Sequence, residues 1–283
     1  VSIVTRFAPS PTGDLHLGHA YAAWFASTLA ARSGGRFLVR IEDIDVGRCR
    51  DEFIARNLED LAWLGLRWEE PVLRQSARMA QYRAALDRLD TLGVTYPCLC
   101  TRKQIQAEIA AAAGAPHAVA AVYPGLCRGR ARGETGAAIA AGAPYAIRLD
   151  AARALAVAGD LVWTDADRGS QPVDLAAEGD VVIARKEMPT SYHLAVVVDD
   201  AAQGVTHVTR GEDLFGATHV HRLLYALLGL DAPIWHHHAL CRDASGRRLA
   251  KRSRDLAIGT LRARGLTPAE VLAMATEAAV VHR

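Results

Sequence analysis

The sequence predicts an α/β fold built on a parallel sheet. Three observations carry that prediction. Residues 3–8 (IVTRFA) are a short strand-like run, stopped by Pro9 and Pro11, each of which lacks a backbone donor. Residues 15–34 read as an Ala- and Leu-rich helix that stops at Gly34-Gly35, and residues 36–42 (RFLVRIE) return to strand character. Strand, Pro/Gly loop, helix and strand in so short a span is the pattern of a parallel βαβ unit.

The rest of the chain extends this plan. Residues 51–64 and 76–92 read as amphipathic helices. Composition then changes over 95–180, where three cysteines, the segment CRGRARG and Ala-rich pieces of weak periodicity suggest an inserted module. The Ala-rich stretch 107–121 reads as a helix followed by a loose loop. Residues 181–184, 194–198 (LAVVV) and 205–208 read as buried strands, and 219–229 as a helix. Residues 256–279 read as two short helices separated by a Gly265–Pro268 turn.

Composition limits the function classes. Hydrophobic residues make up 51% and charged residues 23% of the 283, which excludes general disorder. Lys plus Arg is 33 and Asp plus Glu is 31, so a net charge of +2 excludes a strongly basic nucleic-acid coat but not a local patch. Five cysteines are an odd number and argue against a secreted disulfide framework. The N-terminal residues lack a signal-peptide pattern, and no apolar run approaches the roughly 20 residues of a membrane span. The expectation is a reduced, cytoplasmic protein of one large or two small domains.

The first chemical motif is Pro9-Ser10-Pro11-Thr12-Gly13-Asp14-Leu15-His16-Leu17-Gly18-His19. His16 and His19 are spaced i, i+3, so they share a face of the first helical turn, where backbone N–H groups and the helix dipole favour phosphate. Gly18 leaves room for a nucleotide to approach the backbone. A zinc pair is disfavoured, because no cysteine or carboxylate partner stands nearby. Far downstream, Lys251-Arg252-Ser253-Arg254 forms a basic loop that alone would read as a solvated surface.

A second set of residues stands at strand ends. Arg6, Glu42 and Arg210 each fall where a strand finishes, the edge at which open α/β sheets bind ligands. A third set is Cys98-Leu99-Cys100 with Cys127, thiols that can share one zinc. His117 fits ordinary ligand chemistry as a fourth donor, and Tyr123 is the alternative. Cys49 and Cys241 read as ordinary residues, and His236-His237-His238 as part of a strand.

Together these segments resemble a known family. RFAPSPTGDLHLGHA, RIEDID, SYHLAVVVDD, THVTRGEDL and the Lys251 loop are similar, in order, to blocks of class I aminoacyl-tRNA synthetases of the glutamyl branch. The resemblance implies a Rossmann-like catalytic core with an inserted zinc-containing module and a short helical C-terminal tail. The expected division is 1–95 and 181–240 for the halves of the core, 96–180 for the insertion, and 241–283 for the Lys-x-Ser-Lys-type loop and tail. Within the branch, the short pattern with C-x-C and Y-x-x-x-C resembles members that lack the anticodon-binding domain.

The resemblance also implies residue roles. His16, His19 and Lys251 are the catalytic candidates. Gly18, Ser253 and Arg254 join them around ATP, with Arg254 where the family carries a second Lys; a guanidinium is not an ammonium. Arg6, Ala8, Ser10, Glu42, Tyr192 and Arg210 are the glutamate-site candidates. The two arginines would take the two carboxylates and Glu42 the ammonium, with the pairing of arginine to carboxylate open. Cys98, Cys100, Tyr123 and Cys127 are the implied ligands of one structural Zn2+, and Mg2+ accompanies ATP. The implied activity joins glutamate, through its adenylate, to the queuosine base at the wobble position of tRNA(Asp). The alternatives are a truncated glutamyl-tRNA synthetase that charges the tRNA 3′ end, and a non-catalytic tRNA-binding relative. The expected partners are ATP, L-glutamate and tRNA(Asp) carrying queuosine, on a monomer with no membrane association. Arg128, Arg130 and Arg132, then Arg247 and Arg248, are the candidate phosphate contacts.

Overall fold

A computed structural model describes residues 2–112, 122–186, 188–243, 246–247, 249 and 256–280. The chain opens with β1 (Val4–Phe7), α1 (Leu17–Arg32) and β2 (Arg36–Ile41). Gly34 ends α1 with φ 61°, a conformation that costs glycine little, and the Gly35 N–H reaches back to the Ala30 carbonyl at 2.8 Å. Next come α2 (Asp51–Trp63), β3 (Glu69–Arg74), a 3-10 turn (Gln75–Arg78) and α3 (Met79–Thr91). The expected helix over 76–92 is thus split, its first turn being wound more tightly.

The 96–180 stretch supplies most of β4 (Thr95–Cys98), then α4 (Arg102–Ala112), α5 (Arg132–Ala140), β5 (Ala146–Leu149), α6 (Ala151–Ala158), β6 (Val162–Asp165) and β7 (Gly169–Pro172). It is followed by β8 (Val182–Arg185), α7 (Tyr192–Ala202), β9 (His207–Gly211), a 3-10 turn (Glu212–Leu214), α8 (Phe215–Leu227) and β10 (Ile234–His238). The described tail is α9 (Ile258–Ala263) and α10 (Pro268–Val280). Among the described residues no helix is long and apolar enough to cross a membrane.

One expected strand is a helix. LAVVV lies inside α7, and its residues Leu194 to Val197 are all buried. A helix enclosed on most sides loses its polar face, so its sequence carries the same unbroken apolar run as a central strand.

β1, β2 and β3 pair in parallel, as do β9, β10 and β6, with β7 antiparallel to β6 at the far edge. The two groups meet where Thr206 donates its N–H to the Val4 carbonyl at 3.0 Å and accepts the Val4 N–H on its hydroxyl at 2.8 Å. The parallel strands therefore stand in the order β3-β2-β1-β9-β10-β6, a doubly wound arrangement whose switch point lies between β1 and β9. β4, β5 and β8 form a separate antiparallel sheet. The 96–180 stretch thus feeds two sheets, and β8 closes the smaller one.

Alternation along β1 and β2 decides what faces the site. Phe7, Phe37, Val39 and Ile41 pack with α1 and α10, whereas Val4 and Leu38 pack with α3, α7 and α8. Arg6 and Arg40 fall on the second side by the same period of two, where α7 presents Asp199 and Asp200.

Candidate active site

The loop after β1 leads into a helix start built from two histidines. His16 is the N-cap, and its Nδ1 accepts the Gly18 N–H at 3.1 Å. His19 Nδ1 accepts the His16 N–H at 3.2 Å, which closes a reciprocal cap. An accepting Nδ1 carries no proton, so a neutral ring keeps its proton on Nε2. The rings lie 3.9 Å apart. A Cβ at Gly18 would sit 3.1 Å from His16 Cε1, so glycine leaves the ring space to fold back. Both histidines and Gly18 line a cavity of about 480 Å³, shared with Gly211, Asp213 and Leu249.

Lys251, Ser253 and Arg254 lie outside the described residues. The chain on either side reaches the same place. Leu249 lines the histidine cavity, Ala257 bridges to His16, and the Ile258 N–H donates to the Leu15 carbonyl at 2.9 Å.

A second cavity, of about 460 Å³, is lined by Ser10, Glu42, Arg185, Tyr192 and His193. Ala8 is half-buried just past β1, and the Glu42 N–H donates to the Pro9 carbonyl at 3.0 Å, tying the loops after β1 and β2 together. Arg6 and Arg210 are inside β1 and β9 rather than at their ends, and both are buried.

The arginines are held in different ways. Arg6 Nε meets Asp200 Oδ1 at 2.9 Å, and its Nη1 donates to the Thr209 carbonyl at 3.0 Å. Arg40 Nη1 meets the same Asp200 oxygen at 2.6 Å, and its Nη2 reaches Glu42 at 3.3 Å. Burial raises the Glu42 carboxyl above its ordinary range, with Arg40 and Arg6 pulling the other way. At Asp200 the two guanidiniums outweigh burial and hold the carboxyl below its usual range. Asp199 anchors the neighbouring wall through Tyr82 at 2.7 Å, Gln75 at 2.9 Å and Arg78 at 2.7 Å.

Arg210 has no carboxylate within ion-pair distance among the described residues. Its donors go to His237 Nε2 at 3.2 Å, His221 Nδ1 at 3.0 Å, the Tyr192 hydroxyl at 3.5 Å and the Thr218 hydroxyl. The carboxylate of Asp165 is reached only through His237, whose Nδ1 lies 2.6 Å from Asp165 Oδ2. Burial lowers the pKa of Arg210 itself. Burial, together with the Arg210 charge, pushes His193 down to about 4, and burial likewise takes His237 to about 4 and His221 well below the ordinary range.

Sequence pattern groups Arg6, Glu42, Tyr192 and Arg210 but does not reveal what supports them: Arg40, Asp199, Asp200, His193, Thr218, His221 and His237. Arg40 was within reach, because it lies two residues before Glu42 and so on the same face of the strand.

The thiols gather beside the antiparallel sheet. The Sγ atoms of Cys98, Cys100 and Cys127 all lie within 4.8 Å of one another, and Cys100 and Cys127 are 3.4 Å apart. The Tyr123 hydroxyl is 3.3 Å from Cys98 Sγ and 3.5 Å from Cys100 Sγ, and the Arg148 guanidinium covers its ring at 3.6 Å. With Zn–S near 2.3 Å and Zn–O near 2.0 Å, a tetrahedral site has S···S edges of about 3.8 Å and S···O edges of about 3.5 Å. Three sulfurs and one oxygen therefore stand near the spacing such a site requires. His117 lies outside the described residues.

The candidate phosphate contacts are uneven. Arg128 and Arg130 are both exposed, but Arg128 is tied to buried Asp180 at 2.7 Å. Arg247 is exposed beside Asp243 at 3.4 Å. Arg248 lies outside the described residues, as does the side chain of Arg132.

A doubly wound sheet, a histidine-capped helix at its switch point and a charged pocket alongside define the class I synthetase catalytic fold. The family model for tRNA synthetases class I (E and Q), catalytic domain, matches residues 2–278. The glutamyl-Q tRNA(Asp) synthetase of Rhodobacter capsulatus is 51% identical over 275 residues, covering 95% of this chain and 98% of its own. That of Nocardia farcinica is 43% identical over 96% of this chain and 83% of its own. A crystal structure of a glutamate tRNA ligase from Elizabethkingia meningosepticum, in complex with its amino acid, superposes with a TM-score of 0.75 at 29% identity over 90% of this chain. This chain spans 53% of that ligase. The chain belongs to the class I tRNA synthetases of the glutamate and glutamine type and, among them, to the glutamyl-Q tRNA(Asp) synthetases.

Proposed function

We propose that this ligase activates glutamate with ATP and transfers it to the queuosine base at the wobble position of tRNA(Asp). One observation carries the choice of amino acid. Among the described residues, Arg210 is a buried guanidinium hydrogen-bonded only to neutral groups, which calls for an anionic ligand because buried charge is costly unless paired. Glu42 and Tyr192 line the second cavity, Arg210 stands behind Tyr192 and Arg6 is buried against Asp200, a set that suits a second carboxylate and an ammonium. Ser10 and the backbone at Ala8 supply further polar contacts.

The chemistry needs little acid–base assistance in its first step. The glutamate α-carboxylate is ionised at pH 7 and attacks the α-phosphorus of ATP. A new P–O bond forms as the bond to pyrophosphate breaks. His16 and His19 donate from Nε2 to phosphate oxygens, and Gly18 keeps the cap open. Lys251, Ser253 and Arg254 are the candidate contacts to the departing pyrophosphate, and Mg2+ bound with ATP would supply further charge neutralisation. A hydroxyl of the queuosine cyclopentene ring then attacks the acyl carbon, and AMP leaves. Cys98, Cys100, Tyr123 and Cys127 would hold one structural Zn2+, which would cross-link the 96–180 insertion. Arg130 and Arg247 are candidate phosphate contacts.

The test is transfer of radiolabelled glutamate to tRNA(Asp) with and without queuosine. Label that requires queuosine and survives removal of the terminal adenosine supports the reading. Label lost with the terminal adenosine means 3′ charging, and no label with either tRNA means a non-catalytic relative.

A further inference from the structure

Arg210, His221 and His193 form a chain of hydrogen bonds that ends in the second cavity. A guanidinium can only donate. His221 Nδ1, 3.0 Å from Arg210 Nη1, must therefore accept, which leaves the proton of this neutral ring on Nε2. His221 Nε2 lies 3.2 Å from His193 Nδ1 and donates to it. His193 in turn keeps its proton on Nε2. The other branch obeys the same logic, because His237 Nε2 accepts from Arg210 while its Nδ1–H faces Asp165. Arg210 thus fixes the tautomers on both sides.

The end of the chain faces a place where a ligand fits. His193 lines the second cavity with Ser10, Glu42 and Tyr192, and is not among the walls of the histidine-capped cavity. Its Nε2 has no hydrogen-bond partner among the described residues. Ser10, Glu42 and Tyr192 are the proposed amino-acid contacts, so an amino acid seated in their cavity stands against His193. We propose that His193 is a specificity-determining residue whose Nε2–H donates to the side-chain carboxylate of the amino-acid substrate, the one that is not activated. This rests on the reading of the site as a glutamate site. Burial keeps the ring neutral across the physiological range, so the contact is a directed donor beside a fixed cation.

The experiment measures glutamate-dependent pyrophosphate exchange by wild type, His193→Phe and His221→Gln. A glutamine at 221 can accept from Arg210 and donate to His193, so it preserves the tautomer. His193→Phe should raise the glutamate KM at least tenfold, with the ATP KM and kcat within twofold of wild type. His221→Gln should leave the glutamate KM within threefold. An unchanged glutamate KM in His193→Phe, or a parallel loss in kcat and both KM values, overturns the proposal. Wild-type exchange driven by another amino acid and not by glutamate overturns the underlying reading as well. If His193→Phe does not fold, 15N-histidine NMR of the wild-type chain decides the matter. A protonated Nε2 whose resonance moves on glutamate saturation supports the role, and the opposite tautomer or an unmoved resonance overturns it.

Discussion

Arg6 and Asp200 form a buried ion pair of 2.9 Å that joins the first strand to α7 across the switch point of the sheet. Asp200 also takes Arg40, which reaches Glu42, so one carboxylate orders two of the proposed substrate contacts. Removing its charge strands Arg6 and leaves Arg40 with Glu42 at 3.3 Å and Asp199 at 3.9 Å. Asp200→Asn should lower stability by about 3–5 kcal/mol, the usual cost of breaking a buried pair. In the protein that remains folded, the glutamate KM should rise at least tenfold while the ATP KM holds. Denaturant titration and exchange kinetics read the two effects separately, and an unchanged glutamate KM would show that Asp200 orders nothing at the site.

Arg210→Ala should abolish glutamate-dependent exchange while ATP binding persists. Arg210→Lys should do little better, because one ammonium cannot serve His237, His221, Tyr192 and Thr218 from a single rigid fork. Calorimetric titration with ATP, run beside the exchange assay, checks the pair. Equal loss of both ligands would point to a general collapse.

The architecture was legible where local pattern and tertiary role agree. β1, α1 and β2 announce themselves through Pro9, Pro11 and the Gly34-Gly35 stop. α7 did not, because enclosure gave LAVVV the appearance of a strand. The site was legible as far as family blocks mark it, but its support was not. Asp200 meets Arg6 and Arg40 only because α7 crosses beneath β1 and β2, and nothing in the local sequence of the two strands encodes that crossing. The histidine chain was hidden for a similar reason. Isolated histidines on α7, α8 and β10 look like scattered core residues until Arg210 is placed among them.

His19→Ala should lower the activation rate by about 10²-fold or more, the scale of one lost donor to developing charge. It also removes the ring nitrogen that accepts the His16 N–H, so the reciprocal cap opens. Gly18→Ala provides the contrast. Its methyl would press on the His16 ring from 3.1 Å and move that ring while both imidazoles remain. A rate loss in both variants, at unchanged glutamate affinity, would assign the effect to the nucleotide side.

Metal analysis of the purified chain should find about one zinc per molecule. Cys100→Ser should lose it, because Cys100 stands within 3.5 Å of both Cys127 Sγ and the Tyr123 hydroxyl. Chelation should lower the melting temperature, since a structural site contributes its binding energy to folding. Tyr123→Phe tests the oxygen donor by itself: weaker zinc retention than wild type is expected, and equal retention would remove Tyr123 from the ligand set.

The last prediction concerns pH and lies away from the chemistry. Asp60 on α2 is buried, with Arg262 3.8 Å away, and burial raises its carboxyl to about 6. An unfolded aspartate titrates near 3.8. Between these two values the folded chain holds more protons than the unfolded one, so its stability falls as pH rises. The penalty is absent below the unfolded value and complete above the folded one, on the order of 3 kcal/mol. Asp60→Asn should therefore raise the melting temperature at pH 8, with the gain shrinking progressively as pH falls from 6 toward 4. Melting curves of both proteins across that range check the sign. A gain independent of pH would mean that the amide packs better rather than that a buried charge has been removed.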